Sequence, residues 1–259
     1  MERYVSLIGS DIPMEKLSNA RKKIIEAIKT FNEISVKKLQ EQVPSGPRLI
    51  KSLETEGYIS IFQKKVYRDP FGEPIASDTA HTLTKEQKSV IFTITESLGR
   101  KFTTCLLAGV TGSGKTEVYM QLAAKALNLG YSVLVLVPEI ALISQMERRF
   151  RARFGECVAI LHSGLSAGER YDQWMRIACR EATIAIGARS VVFAPFTNIG
   201  IIIVDEEHDT SLKQQDGFRY SARDLAVWRA RQLNIPLLLG SATPSLESLY
   251  NVQLGRYQL

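Results

Sequence analysis

An eight-residue run near the middle of the chain, 109–116, combines three glycines with a lysine and two threonines. It reads Gly-Val-Thr-Gly-Ser-Gly-Lys-Thr, which fits the phosphate-loop pattern G-x-x-x-x-G-K-S/T in full. In such a loop, backbone N–H groups and the start of the following helix bind phosphate oxygens. We expect Lys115 to reach the β- and γ-phosphates of a nucleotide and the Thr116 hydroxyl to ligate Mg²⁺. The other nucleotide-binding residues of the loop are then Gly109, Thr111, Gly112, Ser113 and Gly114.

A second polar cluster follows the apolar run 201–204 and consists of Asp205, Glu206, Glu207 and His208. We expect Asp205 to hold Mg²⁺ through water, as the acid of the corresponding nucleotide-hydrolysing sites does. Glu206 is placed to orient or deprotonate the attacking water. For His208 two interpretations stay open: it senses the γ-phosphate, or it satisfies a local hydrogen bond.

Six apolar runs must position these clusters, and helical stretches lie between most of them. Near-continuous apolar strands that alternate with helices predict an α/β fold with a parallel sheet covered on both faces. Ligands of such sheets bind beyond the carboxyl ends of the strands. The segment 240–243, Gly-Ser-Ala-Thr, follows the last run and would lie at that edge. The runs are 105–107, 133–137, 159–161, 184–186, 201–204 and 237–239.

A stretch with prolines and glycine, 69–82, is predicted to link a small domain at 18–68 to a larger one at 83–259. Three short helices and a β ribbon in the small domain are typical of a winged helix. Arg48 and Lys51 on its third helix would then contact duplex DNA. The alternative is a protein-interaction or spacer module with a solvated basic face.

Composition excludes some classes of protein. The chain has 259 residues, with 33 Lys+Arg against 27 Asp+Glu, and a net charge of +6 permits nucleic acid as a partner without establishing it. No apolar run approaches the roughly 18 residues of a membrane span, and the start is not that of a signal peptide. The three cysteines are too far apart for a CxxC metal site. We therefore expect a cytoplasmic protein without a membrane partner.

The motifs together resemble those of superfamily 2 helicases. Segments 109–116, 205–208 and 240–243 are similar to motifs I, II and III of that family. Four further segments are similar to those of the bacterial helicases that restart stalled replication forks: 137–140, 162–165, 187–190 and 213–220. The resemblance covers about residues 83–259 and implies a RecA-like P-loop NTPase lobe, preceded in this family by a winged helix.

The resemblance also implies roles for individual residues. Gln87 is similar to the glutamine that reads adenine. Single-stranded DNA would be contacted along its backbone by Pro138, Glu139, Arg189 and Ser190. The segment 213–220 is similar to an aromatic-rich loop that couples DNA binding to ATP hydrolysis, with stacking faces and charges from Lys213, Phe218, Arg219 and Tyr220.

The function implied is an ATP-dependent 3′→5′ DNA helicase that uses ATP and Mg²⁺ at stalled or forked DNA in the bacterial nucleoid. Its expected partners are forked and single-stranded DNA, other primosome proteins and single-strand-binding protein. Such helicases also have a second lobe with an arginine finger and a zinc module, which we expect this chain to lack. Residues 1–17 would be a remnant of a preceding DNA-binding domain or a linker. Because arginine fingers contribute about 10³–10⁵ in turnover, residues 1–259 alone are expected to hydrolyse nucleotide very slowly.

Two alternatives stay open at this point. One is another P-loop ATPase with a DNA-reading module, which would have a helical lid and a sensor arginine after the core. The other is a non-catalytic module that binds forked DNA and uses nucleotide as a structural ligand.

Overall fold

The computed structural model describes residues 2–9, 12–43, 46–64, 67 and 75–259. The chain divides into two compact units, Met1–Tyr67 and Arg68–Leu259. Residues 69–74 of the expected linker lie outside the described residues, as do residues 1, 10 and 11 of the expected N-terminal remnant.

The smaller unit packs three helices against a three-stranded antiparallel sheet. Along the chain it forms β1 (Glu2–Leu7), α1 (Asn19–Phe31), β2 (Glu33–Ser35), α2 (Val36–Gln42), α3 (Gly46–Thr55) and β3 (Ile59–Lys64). The strand order is β2-β1-β3. Val5 of the central strand and Ile24, Ile25 and Ile28 of α1 are fully buried in its core. The helix α3 therefore lies where the third helix was expected, and the winged-helix assignment stays a prediction.

The boundary expected after residue 17 is wrong for the first strand. All six residues of β1 pair with β3, from Glu2 opposite Lys64 to Leu7 opposite Ile59. Strand β1 also pairs with β2 through residues such as Val5 and Ile34. A central strand with both edges hydrogen-bonded and a buried Val5 belongs to the sheet that it completes, because removing it would leave two rows of unpaired backbone groups.

The larger unit contains a six-stranded parallel sheet. Its strands are β4 (Thr103–Ala108), β5 (Ser132–Leu136), β6 (Val158–Leu161), β7 (Ile184–Gly187), β8 (Ile199–Val204) and β11 (Pro236–Ser241), in the order β4-β11-β8-β5-β7-β6. A short hairpin is formed by β9 (Lys213–Gln214) and β10 (Tyr220–Ser221). The helices are α4 (Lys85–Thr95), α5 (Lys115–Asn128), α6 (Ile140–Phe154), α7 (Ala167–Ala178), α8 (Ala222–Leu233) and α9 (Leu246–Gln253). The predicted α/β fold with a parallel sheet is confirmed.

Alternate residues of each strand enter two separate apolar clusters, one on each face of the sheet. On β8, Ile201 and Ile203 join a cluster with residues of α4, α5 and α6, and Ile202 and Val204 join a cluster with residues of α7 and α8. Because both faces are covered, only the ends of the strands can present polar groups to a ligand. Within the described ranges, no helix is both long and apolar enough to cross a membrane.

Residues 75–82, which the sequence predicts as part of the linker, lie within the larger unit and are hydrogen-bonded to α5 and α6. The Asp78 N–H donates to the Ala152 carbonyl at 2.8 Å, and Arg153 Nη2 donates to Asp78 Oδ2 at 2.7 Å. Arg153 Nη1 also donates to Glu117 Oε1 at 2.7 Å. This part of the expected linker is therefore fixed by a charged cluster that the sequence pattern does not show.

Candidate functional site

The phosphate loop connects the end of β4 to the start of α5. Gly112 and Gly114 have φ values of +82° and +86°, a region that favours glycine. A Cβ on Gly114 would also lie 2.5 Å from Gln87 Nε2. The Lys115 ammonium donates to the Gly109 carbonyl at 2.7 Å and lies 3.7 Å from Glu206 Oε1. The loop therefore has the backbone shape that the motif requires, and its lysine faces the acidic cluster.

Gln87 contacts this loop directly. Its Nε2 donates to the Ser113 carbonyl at 2.9 Å, and its Oε1 accepts from the Thr84 N–H at 3.0 Å in a capping box at the start of α4. The structure thus places Gln87 beside the nucleotide loop, and its contact with adenine stays a prediction.

The acidic cluster begins where β8 ends. Burial raises the pKa of the Asp205 carboxyl, and Asp205 Oδ1 accepts a hydrogen bond from the Tyr119 hydroxyl at 2.9 Å. Burial, and then the charge of Asp205, raise the pKa of Tyr119 well above its usual value, so that Tyr119 stays a donor. Glu206 adopts a φ of +42°, and its Oε2 accepts from the Ala242 N–H at 3.4 Å. The cluster is therefore tied to both α5 and the segment that follows β11.

His208 makes the local contacts that one interpretation of the sequence proposed. Its Nδ1 lies 2.8 Å from Ser241 Oγ, and its Nε2 lies 3.2 Å from Thr243 Oγ1. The same Nδ1 lies 3.6 Å from Glu206 Oε2. His208 thus joins the acidic cluster to segment 240–243, and sensing of the γ-phosphate stays a prediction.

The phosphate loop and the acidic cluster line one cleft of about 380 Å³. Sequence reasoning missed one wall of it, formed by Leu142, Gln145 and Arg149 of α6. Their spacing of three and four residues puts them on one face of a helix that starts just beyond β5, which is the signal that could have found them. The other lining residues are Thr111, Gly112, Gly114, Lys115, Thr116, Asp205 and Glu206.

These residues fit a magnesium nucleotide. The Thr116 hydroxyl and the Asp205 carboxylate, both lining the cleft, are the hard oxygen donors that Mg²⁺ prefers. In the part of the chain that the structure describes, no group of three or more His, Cys, Asp and Glu side chains could hold a metal ion. A magnesium ion here would therefore be held by the Thr116 hydroxyl, phosphate oxygens and water, with Asp205 holding it through one of the waters, as expected from the sequence.

The hairpin β9–β10 presents aromatic and basic groups near the same edge of the sheet. Phe218 is 79% exposed, and its ring centroid lies 6.0 Å from that of Tyr220. Tyr220 also packs edge-on against Phe193, which is half exposed and which sequence reasoning missed. An open cleft of about 580 Å³ is lined by Lys213, Gln214, Gln215, Asp216, Arg219, Tyr220 and Ser221. Exposed aromatic rings beside cations form a surface on which unpaired bases can stack.

The other residues expected to contact DNA are placed as follows. Arg189 Nη1 donates to the Lys213 carbonyl at 3.3 Å, so the structure brings these two segments together. Pro138 is buried and its carbonyl accepts from Ser211 Oγ at 3.1 Å, whereas Ser190 and Glu139, the residue before α6, are exposed. In the smaller unit, Arg48 and Lys51 lie exposed on α3.

Glu207, the third acid of the cluster, has a fully buried side chain. Its carboxylate accepts from Arg223 Nη1 at 3.1 Å and from the Ser245 N–H at 2.7 Å. The hydroxyls of Ser245 and Ser248 donate to the same carboxylate at 3.0 and 2.9 Å. Glu207 therefore links the acidic cluster to the first turns of α8 and α9.

Comparison with known proteins identifies relatives of this fold. The family described as DEAD/DEAH box helicase matches residues 84–252. The chain is 44% identical over 229 residues to the replication restart protein PriA of Bacillus subtilis, which covers 88% of this chain and 28% of the relative. PriA of Synechocystis is 44% identical over 255 residues, and this match covers 97% of this chain and 30% of the relative. The chain thus spans less than a third of the length of these relatives.

Solved structures show the same fold at lower identity. RecG bound to a three-way DNA junction matches with a TM-score of 0.51 and 24% identity, covering 68% of this chain and 23% of that chain. A hypothetical ATP-dependent RNA helicase from Sulfolobus tokodaii matches with a TM-score of 0.50 and 20% identity, and this match covers 69% of this chain and 52% of that chain.

Proposed function

Because the chain belongs to the DEAD/DEAH box helicase family, we propose that it forms the nucleotide-binding lobe of an ATP-dependent 3′→5′ DNA helicase. This helicase would act at stalled or forked DNA in the bacterial nucleoid to restart replication. The observation that supports this most directly is the shared cleft of the phosphate loop and the acidic cluster, with Lys115 Nζ 3.7 Å from Glu206 Oε1.

Six side chains in or beside the cleft would then each have one role. Lys115 binds the β- and γ-phosphates, and Thr116 and Asp205 hold Mg²⁺, which would neutralise phosphate charge when bound. Glu206 orients the attacking water or accepts its proton, for which a carboxylate beside the phosphate loop is suited. Gln87, whose amide already contacts the loop, would read the adenine ring. His208 would relay the state of the cleft to segment 240–243 through Ser241 and Thr243.

The DNA-binding role rests on the surface around the hairpin. The backbone of a single strand would be bound by Arg189 and by the segments at 138–139 and 190, and its bases would stack on Phe218 and Tyr220. The smaller unit would contact duplex DNA through Arg48 and Lys51 of α3 as a winged helix. Other primosome proteins and single-strand-binding protein are proposed as partners of the longer protein, consistent with relatives named for replication restart.

Turnover of Mg-ATP by the 259-residue protein, with and without forked DNA, tests this function. We expect slow turnover that Lys115→Ala abolishes, since the lysine supplies charge at the transferred phosphate. Turnover that persists unchanged in Lys115→Ala would overturn the proposed site.

Replacing Phe218 with alanine is expected to weaken binding of a labelled single strand about ten-fold or more. Stacking of a base on an aromatic ring contributes about 1–3 kcal/mol, and Phe218 is the most exposed ring of the hairpin surface. The measurement is fluorescence anisotropy with an oligothymidine, at one fixed salt concentration because phosphate contacts depend on salt.

The matched control is Phe92→Ala, which removes an aromatic ring that is 68% exposed on α4, outside the hairpin. We expect this variant to bind the oligonucleotide like the unsubstituted protein. Equal losses in the two variants, or no loss in Phe218→Ala, would contradict the assignment of the hairpin to single-stranded DNA.

A further inference from the structure

Tyr119 occupies the space between the end of β8 and the end of β11. Its side chain is fully buried on α5, and its hydroxyl donates to Asp205 Oδ1 at 2.9 Å. Gly240 lies against the same hydroxyl end of the ring: a Cβ at position 240 would come within 1.7 Å of the Tyr119 hydroxyl oxygen and 2.8 Å of Cζ. The tyrosine therefore requires a residue without a side chain at position 240.

From its position on α5, Tyr119 is close to both side chains expected at Mg²⁺, Thr116 and Asp205. Residues three apart on a helix are neighbours on its surface, so Tyr119 lies next to Thr116. A buried tyrosine hydroxyl needs a hydrogen-bond partner, and here that partner is Asp205. One helix thus carries the threonine expected at the metal ion and the hydroxyl that holds Asp205, the carboxylate expected to hold the ion through water.

We propose that Tyr119 is the positioning residue for the Asp205 carboxylate, and that Gly240 is its steric complement in the backbone of segment 240–243. This inference rests on the proposed nucleotide site and deepens it. Residues that hydrogen-bond to a metal ligand fix its orientation, and their loss commonly weakens metal binding by about 10–100-fold. The hydroxyl acts through Asp205 and does not itself contact nucleotide.

Tyr119→Phe tests the positioning of Asp205, because it keeps the buried ring and removes only the hydroxyl that donates the hydrogen bond. We expect the Mg²⁺ concentration needed for half-maximal binding of a labelled ATP analogue to rise about ten-fold. Affinity for the analogue in the presence of EDTA is expected to stay unchanged. The control is Tyr131→Phe, since the Tyr131 ring packs on Gly99 and Gly200 rather than on the acidic cluster.

The outcomes of this titration are distinguishable. A Mg²⁺ dependence in Tyr119→Phe that matches the unsubstituted protein would overturn the positioning role, because a purely structural ring is retained in this variant. Failure of the unsubstituted protein to bind the analogue at any Mg²⁺ concentration would overturn the proposed function and this inference with it.

A stability measurement tests the steric pairing of Gly240 with Tyr119 and needs no ligand. Gly240→Ala is expected to lower the urea midpoint of unfolding, since its new methyl group collides with the Tyr119 hydroxyl. Adding Tyr119→Phe to Gly240→Ala should recover part of the decrease in the midpoint, because the atom of residue 119 nearest to the new methyl group is then the ring carbon Cζ, 2.8 Å away. Strictly additive changes in the two single variants and the double variant would overturn the steric pairing.

Discussion

Replacing Arg223 with alanine is expected to lower the free energy of unfolding of the larger unit by about 3–5 kcal/mol. The change leaves the buried Glu207 carboxylate, whose side chain is 0% exposed, without its cationic partner. The serine donors that remain are neutral and do not balance a buried negative charge. Urea unfolding followed by tryptophan fluorescence measures this, because the two tryptophans of the chain, Trp174 and Trp228, both lie in the larger unit.

Two further variants make this prediction specific. Arg231→Ala removes an exposed arginine from the last turn of the same helix and is expected to leave stability within about 0.5 kcal/mol. Adding Glu207→Gln to Arg223→Ala is expected to recover part of the loss, since it removes the uncompensated charge. An unfolding midpoint in Arg223→Ala equal to that of Arg231→Ala would contradict the role assigned to this ion pair.

Replacing Glu206 with glutamine is expected to reduce ATP turnover by about 10²–10⁴-fold while nucleotide affinity changes little. A positioned general base contributes about that factor, and glutamine keeps the size of the side chain while removing its basicity. Single-turnover hydrolysis of radiolabelled ATP measures the chemical step, and equilibrium binding of an ATP analogue measures affinity separately.

Glu247→Gln provides the comparison, because Glu247 is an exposed acid in the first turn of α9. We expect its turnover to equal that of the unsubstituted protein. Full turnover in Glu206→Gln would show that another group prepares the water and would remove Glu206 from the proposed mechanism.

Local patterns in the sequence predict most strands and several site residues of the larger unit. Each of the six predicted apolar runs lies in or overlaps a strand of the parallel sheet, and Lys115, Thr116, Asp205 and Glu206 lie around one cleft. Apolar runs do not determine which strands are neighbours, however. The order β4-β11-β8-β5-β7-β6 depends on pairings between distant segments, such as β4 with β11.

The features that could not be predicted depend on contacts between residues far apart in the chain. The local sequence does not tie strand β1 to the smaller unit, because β3, the strand with which it pairs along its whole length, begins only at Ile59. No local pattern marks Tyr119, because its partner Asp205 lies 86 positions away. The partners of Glu207 are likewise not visible in its local sequence, because Arg223, Ser245 and Ser248 converge on it only after α8 and α9 have packed.

The most direct test of a Lys115-dependent nucleotide site is an equilibrium titration of a labelled ATP analogue in Mg²⁺. The protein, Lys115→Ala and Lys125→Ala would be compared, the last removing an exposed lysine from the last turn of the same helix. We predict at least about ten-fold weaker binding in Lys115→Ala alone, because hydrogen bonds to charged groups contribute about 1.5–3 kcal/mol. Equal affinity in all three proteins would contradict the account, since the phosphates would then bind elsewhere or not at all.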